Sequence, residues 1–403
     1  MHAVEKKPIP IELSVLNLFK NIVGTSILSL SFGVSCSGVI PSVAICISFA
    51  LLSGLTFAFI GTLCVESETA TYRGICEKYI HPKTGVWIDL LMAVYTFPAC
   101  TAYSVFLYDC IRVMLVDFAP QAQYEFYTSR AFIGIILSFF VLLPLSSISK
   151  LDKLTFASIF GVVALIYCYI FVAYDLAQNA DSINSSKIIQ DALWWPPSGS
   201  FLGLFPMANI YASCYVVQYN APKFFKELKN PTKMRFYSLS LVSNFIVLLF
   251  CGSFAVLGFA RFGNDTPDNL LVGYSGAYAV WIATCVSVIT TYPLVFDAGR
   301  NSFMSALDGF EFPRRTLYWA TTLFWVPILS LSAIFIPSLS LVVGISGSIC
   351  GMTVGFTLPG LIFANRAKVK GQPYARIFLG YALMITGLFL SVIGLISMFV
   401  QFN

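Results

Sequence analysis

The chain has 403 residues, of which 58% are hydrophobic and 11% are charged, and its mean hydropathy is +0.81. A soluble fold of this length does not carry so apolar a composition, so the sequence predicts an all-α polytopic membrane protein. The net charge of +5 follows from the distribution of basic residues between loops and does not indicate a nucleic-acid partner.

Cutting the sequence at its polar clusters gives eleven apolar segments, near the ~20 residues that a spanning helix needs. They run approximately over 11–37, 41–64, 86–116, 131–148, 154–177, 201–220, 236–262, 276–304, 316–336, 338–364 and 375–401. The residues before segment 1 are polar, and the segment is long and interrupted, unlike a cleaved signal peptide. We therefore expect a short cytoplasmic N-terminus at 1–10 and a single transmembrane domain at 11–403.

The basic residues predict the orientation of these segments. Of the 24 lysines and arginines, nineteen fall on the N-terminal side of the membrane, four fall on the other side, and Lys20 lies within segment 1. The positive-inside rule then places the N-terminus in the cytoplasm and the C-terminus outside or in the lumen. Two glycosylation sequons, at Asn184 and Asn264, fall in loops on the outer side and agree with this orientation.

Cysteine and histidine indicate neither a metal site nor histidine catalysis. Most of the eleven cysteines lie inside apolar runs, where cysteine behaves as a small hydrophobic residue, and no C-x-x-C pattern is present. The two histidines, His2 and His81, lie in polar stretches. These features exclude zinc-dependent intramembrane proteases, and we expect no metal and no cofactor.

Two segments carry a helix-breaking sequence near their middle. Segment 1 has Val23–Ser26, and segment 6 has the polar run Gln218–Asn220 ahead of Pro222. Segments 1 and 6 correspond if the chain is a five-plus-five inverted repeat with an eleventh helix, and paired breaks then mark a binding site. Amide groups from Ile27 onward would hold a carboxylate, and carbonyls near the second break an ammonium group. The alternative for segment 1 is close helix packing by small residues.

The stretch Asn21–Leu30 resembles the helix 1 motif of the amino acid/auxin permease family, a branch of the amino acid, polyamine and organocation superfamily. The similarity continues in order along nearly the whole chain. Its other motifs are Thr71–Tyr72 with Glu77, Leu143–Leu145 with Lys150–Leu154, Lys226–Thr232, Gly258–Gly263 with Asp268–Leu271, Thr291–Leu294 with Arg300, and Ile336–Pro337 with Gly344, Gly347 and Pro359. The resemblance implies an eleven-helix inverted-repeat fold and secondary active transport of amino acids.

The resemblance also bears on the coupling ion. The sodium-coupled branch of the family has an asparagine four residues before the segment 1 glycine, where this chain has Lys20, and the proton-coupled branch carries lysine at that place. An ammonium group repels a nearby sodium ion, so we expect proton coupling or sodium independence. Thr290 and Thr291 match a position that contributes a hydroxyl to sodium binding in relatives. The alternative for Lys20 is a side chain that reaches to the membrane interface.

The remaining site predictions combine the two breaks with segment 3, which is expected to supply Tyr95, Phe97, Cys100 and Tyr103 to the pocket for the substrate side chain. We predict that the substrate contacts Val23, Gly24, Thr25, Ser26, Ile27, Tyr103, Cys214, Gln218 and Asn220. No acidic residue is present at the segment 6 break to receive a cationic side chain, which favours neutral amino acids.

Asp297 and Arg300 have the spacing of a helical salt bridge, and a role in gating is the alternative.

Other functions remain open from the sequence. An amino acid sensor with little flux and a sodium-coupled symporter are alternatives to a proton-coupled carrier. An intramembrane enzyme is not expected, because no paired intramembrane acids or activated nucleophile are present. A monomer in the plasma membrane or the lysosomal or vacuolar membrane is expected, with the lipid bilayer, an amino acid and a proton as its partners.

Overall fold

The computed structural model describes residues 8–69, 71–148, 155–183, 185–194, 200–308, 312–336 and 338–402. Regular structure within these ranges is helical, apart from an isolated parallel bridge between Ile9 and Leu228. Apolar side chains fill the interior, and many others are exposed on the helix surfaces. Such a surface fits a hydrocarbon solvent, because lipid tails are as apolar as the side chains they meet.

A helix lies at each predicted segment, and we number the helices accordingly. Helix 1 consists of Ile11–Ile22 and Thr25–Ser37, and helices 2 to 6 are Val39–Ser67, Thr84–Phe118, Arg130–Ser146, Thr155–Ile183 and Phe201–Glu227. Helices 7 to 11 are Lys233–Phe262, Tyr278–Ala306, Arg314–Phe335, Leu339–Val369 and Tyr374–Phe402. A short loop helix, Tyr72–Tyr79, joins helices 2 and 3.

Ten of these helices have the length and composition of a membrane span within the described ranges. Nine of them are long and apolar enough to span a membrane on their own, and the two pieces of helix 1, which meet at an angle of 52°, are so when taken together. Helix 4, Arg130–Ser146, is apolar but is shorter than the other spans, in the range of 10–17 residues. The chain is therefore a multi-pass helical membrane protein, and the spanning role of helix 4 stays a prediction.

Helices 4 and 7 begin after a hydroxyl side chain that accepts a hydrogen bond from an amide of the first turn. The side chain of Ser129 accepts from the amide of Phe132 at the start of helix 4, and Thr232 accepts from Arg235 at the start of helix 7. Such caps satisfy amide groups that have no partner inside the helix. Helix 1 ends at Gly38, whose φ of 84° is readily adopted only by glycine.

The loop helix is fastened to the ends of helices 3, 8 and 10. Arg73 pairs with Asp89 of helix 3 and donates to Ser305 of helix 8 at 2.9 Å. Its hydrogen bond to Glu77, in the same loop helix, raises the pKa of Arg73. Asn365 of helix 10 donates to the carbonyl of Tyr79 at 2.9 Å. These contacts set the position of the loop that leaves helix 2.

Arg300 is a buried charge that joins three helices. It pairs with Asp297 one turn earlier in helix 8, and its guanidinium donates to the carbonyl of Ser146 at 3.0 Å and to Thr322 at 2.8 Å. The guanidinium also lies 3.8 Å from the ring centre of Tyr318. Because the side chain is only 1% exposed, these partners replace most of the water that it loses, and only its Nε atom is left without a hydrogen bond among the described residues.

Replacing Arg300 with alanine should therefore lower the stability of the protein. Removing one partner of a buried pair costs roughly 3 kcal/mol, and the thermal unfolding midpoint of the purified protein measures the loss. Arg314 is the matched control, since it pairs with Asp308 at 3.6 Å between exposed side chains. Its replacement by alanine should cost no more than ~1 kcal/mol. Equal shifts for both variants would contradict the structural role of Arg300.

Candidate functional site

Helix 1 loses its regular form at Val23 and Gly24. Val23 has φ −84° and ψ 94°, and Gly24 has φ −105° and ψ −162°, both outside helical geometry. The chain then resumes as a 3-10 turn over Thr25–Ser29 that leads into Leu30–Ser37. Amide groups at the start of such a segment have no partner within it and can bind a ligand.

Helix 6 is interrupted at Val216 and Val217, two residues before the run that predicted its break. The helix also resumes and continues to Glu227, beyond the predicted end at residue 220. Helix 2 supports the interruption, because Gln218 donates to Ser53 and Thr56 at 3.1 Å each. The side-chain oxygen of Gln218 accepts from the amide of Val217 at 3.0 Å. Gln218 therefore replaces hydrogen bonds that the broken helix lost.

The residues of the helix 1 break and the residues on either side of the helix 6 break line one cavity of about 580 Å³. The thiol of Cys214 donates to the hydroxyl of Ser26 at 3.1 Å, which links the two broken helices directly. A second link joins the side chains of Asn220 and Asn21 at 3.0 Å. Proteins tolerate irregular backbone at membrane depth where it lines such a cavity.

Most predicted site residues line this cavity, together with residues of helices 3, 5, 8 and 10. The predicted residues in its wall are Lys20, Val23, Gly24, Thr25, Ser26, Tyr103, Cys214, Asn220 and Thr291. Three of the residues predicted to contact the substrate or the coupling ion lie outside the wall. Ile27 is buried behind the break, Gln218 bonds to helix 2, and Thr290 donates to the carbonyls of Val286 and Ser287 in its own helix.

The sequence did not indicate several residues that complete the wall. They are Ala99 and Phe106 of helix 3, Gly161 and Ala164 of helix 5, Tyr219 of helix 6, Ser287 of helix 8 and Ser346 of helix 10. Of the four helix 3 residues predicted for the pocket, Tyr95 and Tyr103 line the wall, and Phe97 and Cys100 do not. Tyr95 and Tyr219 pack with ring centres 5.8 Å apart. Tyrosine, serine and alanine are common in any membrane helix, so only their convergence marks them as wall residues.

Lys20 points towards helices 5 and 8. A Cβ atom placed on Gly161 would lie 3.7 Å from Cε of Lys20 and 3.1 Å from the hydroxyl oxygen of Ser287. Gly161 therefore leaves the space into which the Lys20 side chain extends. Thr291, close by in helix 8, donates to the carbonyl of Ser287 at 2.8 Å. Of the three residues in the coupling-ion prediction, Lys20 and Thr291 therefore line the same cavity, and Thr290 does not.

The cavity extends to the end of the molecule where helix 1 begins. Its wall there includes Ser14, Asn17, Lys223 and Glu227. At the opposite helix ends, Asp109 pairs with Arg130, which also donates to the carbonyl of Ile336 at 2.8 Å. These contacts tie helix 3 to helix 4 and to the turn before helix 10. The cavity thus has its mouth on the N-terminal side.

The other predicted residues lie away from the cavity. Asp297 and Arg300 form the expected salt bridge, which joins helix 8 to helices 4 and 9. Asn264 is exposed in the loop after helix 7, and Asn184 lies outside the described residues.

Comparison with known proteins decides the family. Residues 10–402 match the model of the transmembrane amino acid transporter protein family. The chain belongs to this family. Its curated relatives include solute carrier family 38 member 8 of Homo sapiens, with 25% identity over 86% of this chain and 83% of that protein. Sodium-coupled neutral amino acid transporter 7 of Danio rerio has 25% identity over 73% of this chain.

This family member spans only part of some relatives. The similarity covers 65% of the Danio rerio protein and 60% of vacuolar amino acid transporter 7 of Saccharomyces cerevisiae, which is also 25% identical over 74% of this chain. One of these relatives is named for sodium coupling and another for the vacuole.

Solved structures establish the fold of this transporter-family chain. Mhp1, a nucleobase-cation-symport-1 family transporter, in a closed conformation with bromovinylhydantoin bound, has a TM-score of 0.60 over 98% of this chain and 91% of its own, at 11% identity. The inward-facing conformation of Mhp1 has a TM-score of 0.58 over 99% of this chain and 93% of its own, at 10% identity. At such low identity the likeness concerns the fold alone.

Gly24 offers a direct test of the cavity. A Cβ atom at Gly24 would meet no atom within 4 Å, so Gly24→Ala should fold normally while placing a methyl group in the cavity. One methyl group in a binding pocket changes discrimination by roughly tenfold, and we expect that loss in kcat/KM for amino acid uptake. Gly347→Ala is the contrast, because its Cβ would lie 1.9 Å from the carbonyl oxygen of Asn209 and should prevent folding. Unchanged uptake by folded Gly24→Ala would contradict the site.

Proposed function

We propose that this chain is a secondary active transporter that moves neutral amino acids by alternating access, without sodium and with a proton as the coupling ion. The observation that carries the proposal is the meeting of two interrupted helices at one cavity. The start of Thr25–Ser29 offers amide groups to the carboxylate of the substrate, and the end of helix 6 before Val216 offers carbonyl groups to its ammonium. A zwitterion satisfies both at once.

The architecture that we propose has eleven spans, with helices 1 to 5 and 6 to 10 as inverted repeats. The broken helices are the first member of each half, as this arrangement requires. Helix 2 packs against helix 7, and helix 3 packs against helix 8. These are pairs of equivalent helices, which supports an internal pseudo-symmetry that relates the two halves.

The cavity wall favours a neutral side chain. Near the breaks it consists of small and aromatic residues, including Ala99, Tyr103 and Val343. The charged residues in the wall are Lys20, Lys223 and Glu227. Glu227 lies at the mouth, eleven residues beyond the break at Val216. Among the described residues, no carboxylate therefore lines the wall next to the substrate backbone groups to receive a cationic side chain.

Lys20 supports the proposed independence from sodium. Its side chain extends towards Ser287 and Thr291, the helix 8 region to which a sodium ion would bind. Two unit positive charges ~4 Å apart repel by several kcal/mol at an effective dielectric constant of 20. The fixed ammonium thus takes the place of the sodium charge, and its proton becomes the exchangeable ion.

The proposed orientation places the N-terminus and the cavity mouth in the cytoplasm. The basic residues of the loops support it through the positive-inside rule, and the mouth then makes this an inward-facing conformation. The exposed Asn264 lies on the outer side in this orientation. The names of the relatives support either the plasma membrane or a vacuolar membrane.

Uptake of radiolabelled amino acids into proteoliposomes tests this proposal. We expect an imposed proton gradient to drive the uptake of neutral amino acids, with no stimulation by a sodium gradient. Acidic and basic amino acids should compete poorly. Uptake that requires sodium and ignores pH would overturn the coupling assignment. Binding of an amino acid without any uptake would favour a sensor.

Lys20→Asn tests the role of the lysine within the same assay. We expect a roughly tenfold loss of stimulation by the proton gradient, because coupling free energies correspond to roughly 5- to 150-fold changes. Lys223→Gln is the matched control, since it removes a lysine from the same wall near the mouth and should leave the proton stimulation intact. A Lys20→Asn protein with unchanged pH dependence would refute the role.

A further inference from the structure

One glutamate on the N-terminal side of the membrane binds four basic groups, three through its carboxylate and one through its backbone carbonyl. Glu66, at the end of helix 2, accepts from Arg366 at 2.8 and 2.7 Å, from Lys370 at 2.8 Å and from Lys233 at 3.4 Å. The ammonium of Lys78 donates to the Glu66 carbonyl at 2.9 Å. We name these five residues the Glu66 cluster. They come from the loop helix and from helices 2, 7 and 10.

The Glu66 cluster has more positive charge than its carboxylate can balance. Arg366 already binds both carboxylate oxygens, so it forms the strong bidentate pair. The two lysine side chains add to this satisfied pair and are turned to the outside, with 61% exposure at Lys233 and 43% at Lys370. The positive-inside bias places basic residues on this side but does not require them to converge on one residue.

Apolar side chains flank the Glu66 cluster. Val65 precedes Glu66 and is 62% exposed, and Val369 precedes Lys370 and is 82% exposed. Beyond the turn that follows helix 10, Tyr374 and Phe378 are also exposed. An exposed apolar surface beside a basic group on a membrane protein matches a phospholipid, which presents a phosphate above its acyl chains. A soluble polyphosphate would use only the charged part of this surface.

We propose that the Glu66 cluster binds the headgroup of an anionic phospholipid in the adjacent leaflet, with Lys233 and Lys370 contacting its phosphate groups. Arg366 stays paired with Glu66, which holds helix 10 to helix 2 beneath the two lysines. Basic pockets between membrane helices recognise anionic headgroups through this chemistry. The site lies apart from the substrate cavity, because no residue of the Glu66 cluster lines the cavity wall.

Lipid binding by the full chain in nanodiscs tests the proposal. The nanodiscs contain phosphatidylcholine with a trace of fluorescent phosphatidylinositol bisphosphate, and energy transfer from the protein reports binding. We expect the double variant Lys233→Gln and Lys370→Gln to bind this lipid roughly 10- to 30-fold more weakly, since each basic residue near the surface contributes about fivefold. Both replacements leave the pair between Glu66 and Arg366 intact, and the thermal unfolding midpoint in pure phosphatidylcholine should stay unchanged.

The control is a double variant of Lys83→Gln and Arg315→Gln, which removes the same charge from exposed positions on the same side. It should bind the lipid like the unmodified protein. Equal weakening by both double variants would overturn the proposal, because the attraction would then be a general property of this surface. Unchanged binding by the Lys233 and Lys370 variant would also overturn it. Soluble inositol trisphosphate is a third arm, and binding as tight as that of the lipid would reject a lipid ligand.

Discussion

Backbone groups inside a bilayer must find hydrogen-bond partners within the protein, and the interrupted helices are where this constraint is hardest to meet. Helix 2 meets it for helix 6. Ser53 donates to the carbonyl of Tyr215 at 2.9 Å, and Gln218 bonds to Ser53 and Thr56. Helix 2 bonds to the side of the break that faces away from the cavity, so the groups that face the cavity stay open to a ligand. The cavity therefore depends on a helix that supplies none of the residues in its wall.

The two broken helices are also joined at the cavity mouth. The amide of Ile9 donates to the carbonyl of Glu227, and the amide of Lys229 donates to the carbonyl of Ile9, at 2.8 Å each. Together with the contact between Asn21 and Asn220, these bonds hold the first piece of helix 1 to the last piece of helix 6.

The buried charges divide according to their partners. Arg300 and Arg130 lie at helix ends and have carboxylates and carbonyls around them, so they join helices. The Glu66 cluster does the same for helices 2, 7 and 10. Lys20 differs because its side chain extends into a cavity wall beside hydroxyl groups. A cation in such a place costs free energy in the membrane, which is why intramembrane ionisable groups mark function.

Composition and order along the chain determine the class of the protein. Long apolar segments admit only helices in a bilayer, and the motifs from Asn21 to Pro359 identify the family, which the family model confirms. The break at Gly24 could also be predicted from the sequence, because glycine and small hydroxylated residues interrupt an apolar run there. Only the tertiary structure turned Gln218 away from the cavity and brought Ala99, Gly161 and Ser287 to its wall. The reason is that helix rotation and crossing depend on packing against neighbours, such as the close approach of Gly347 to Asn209, which local sequence does not encode.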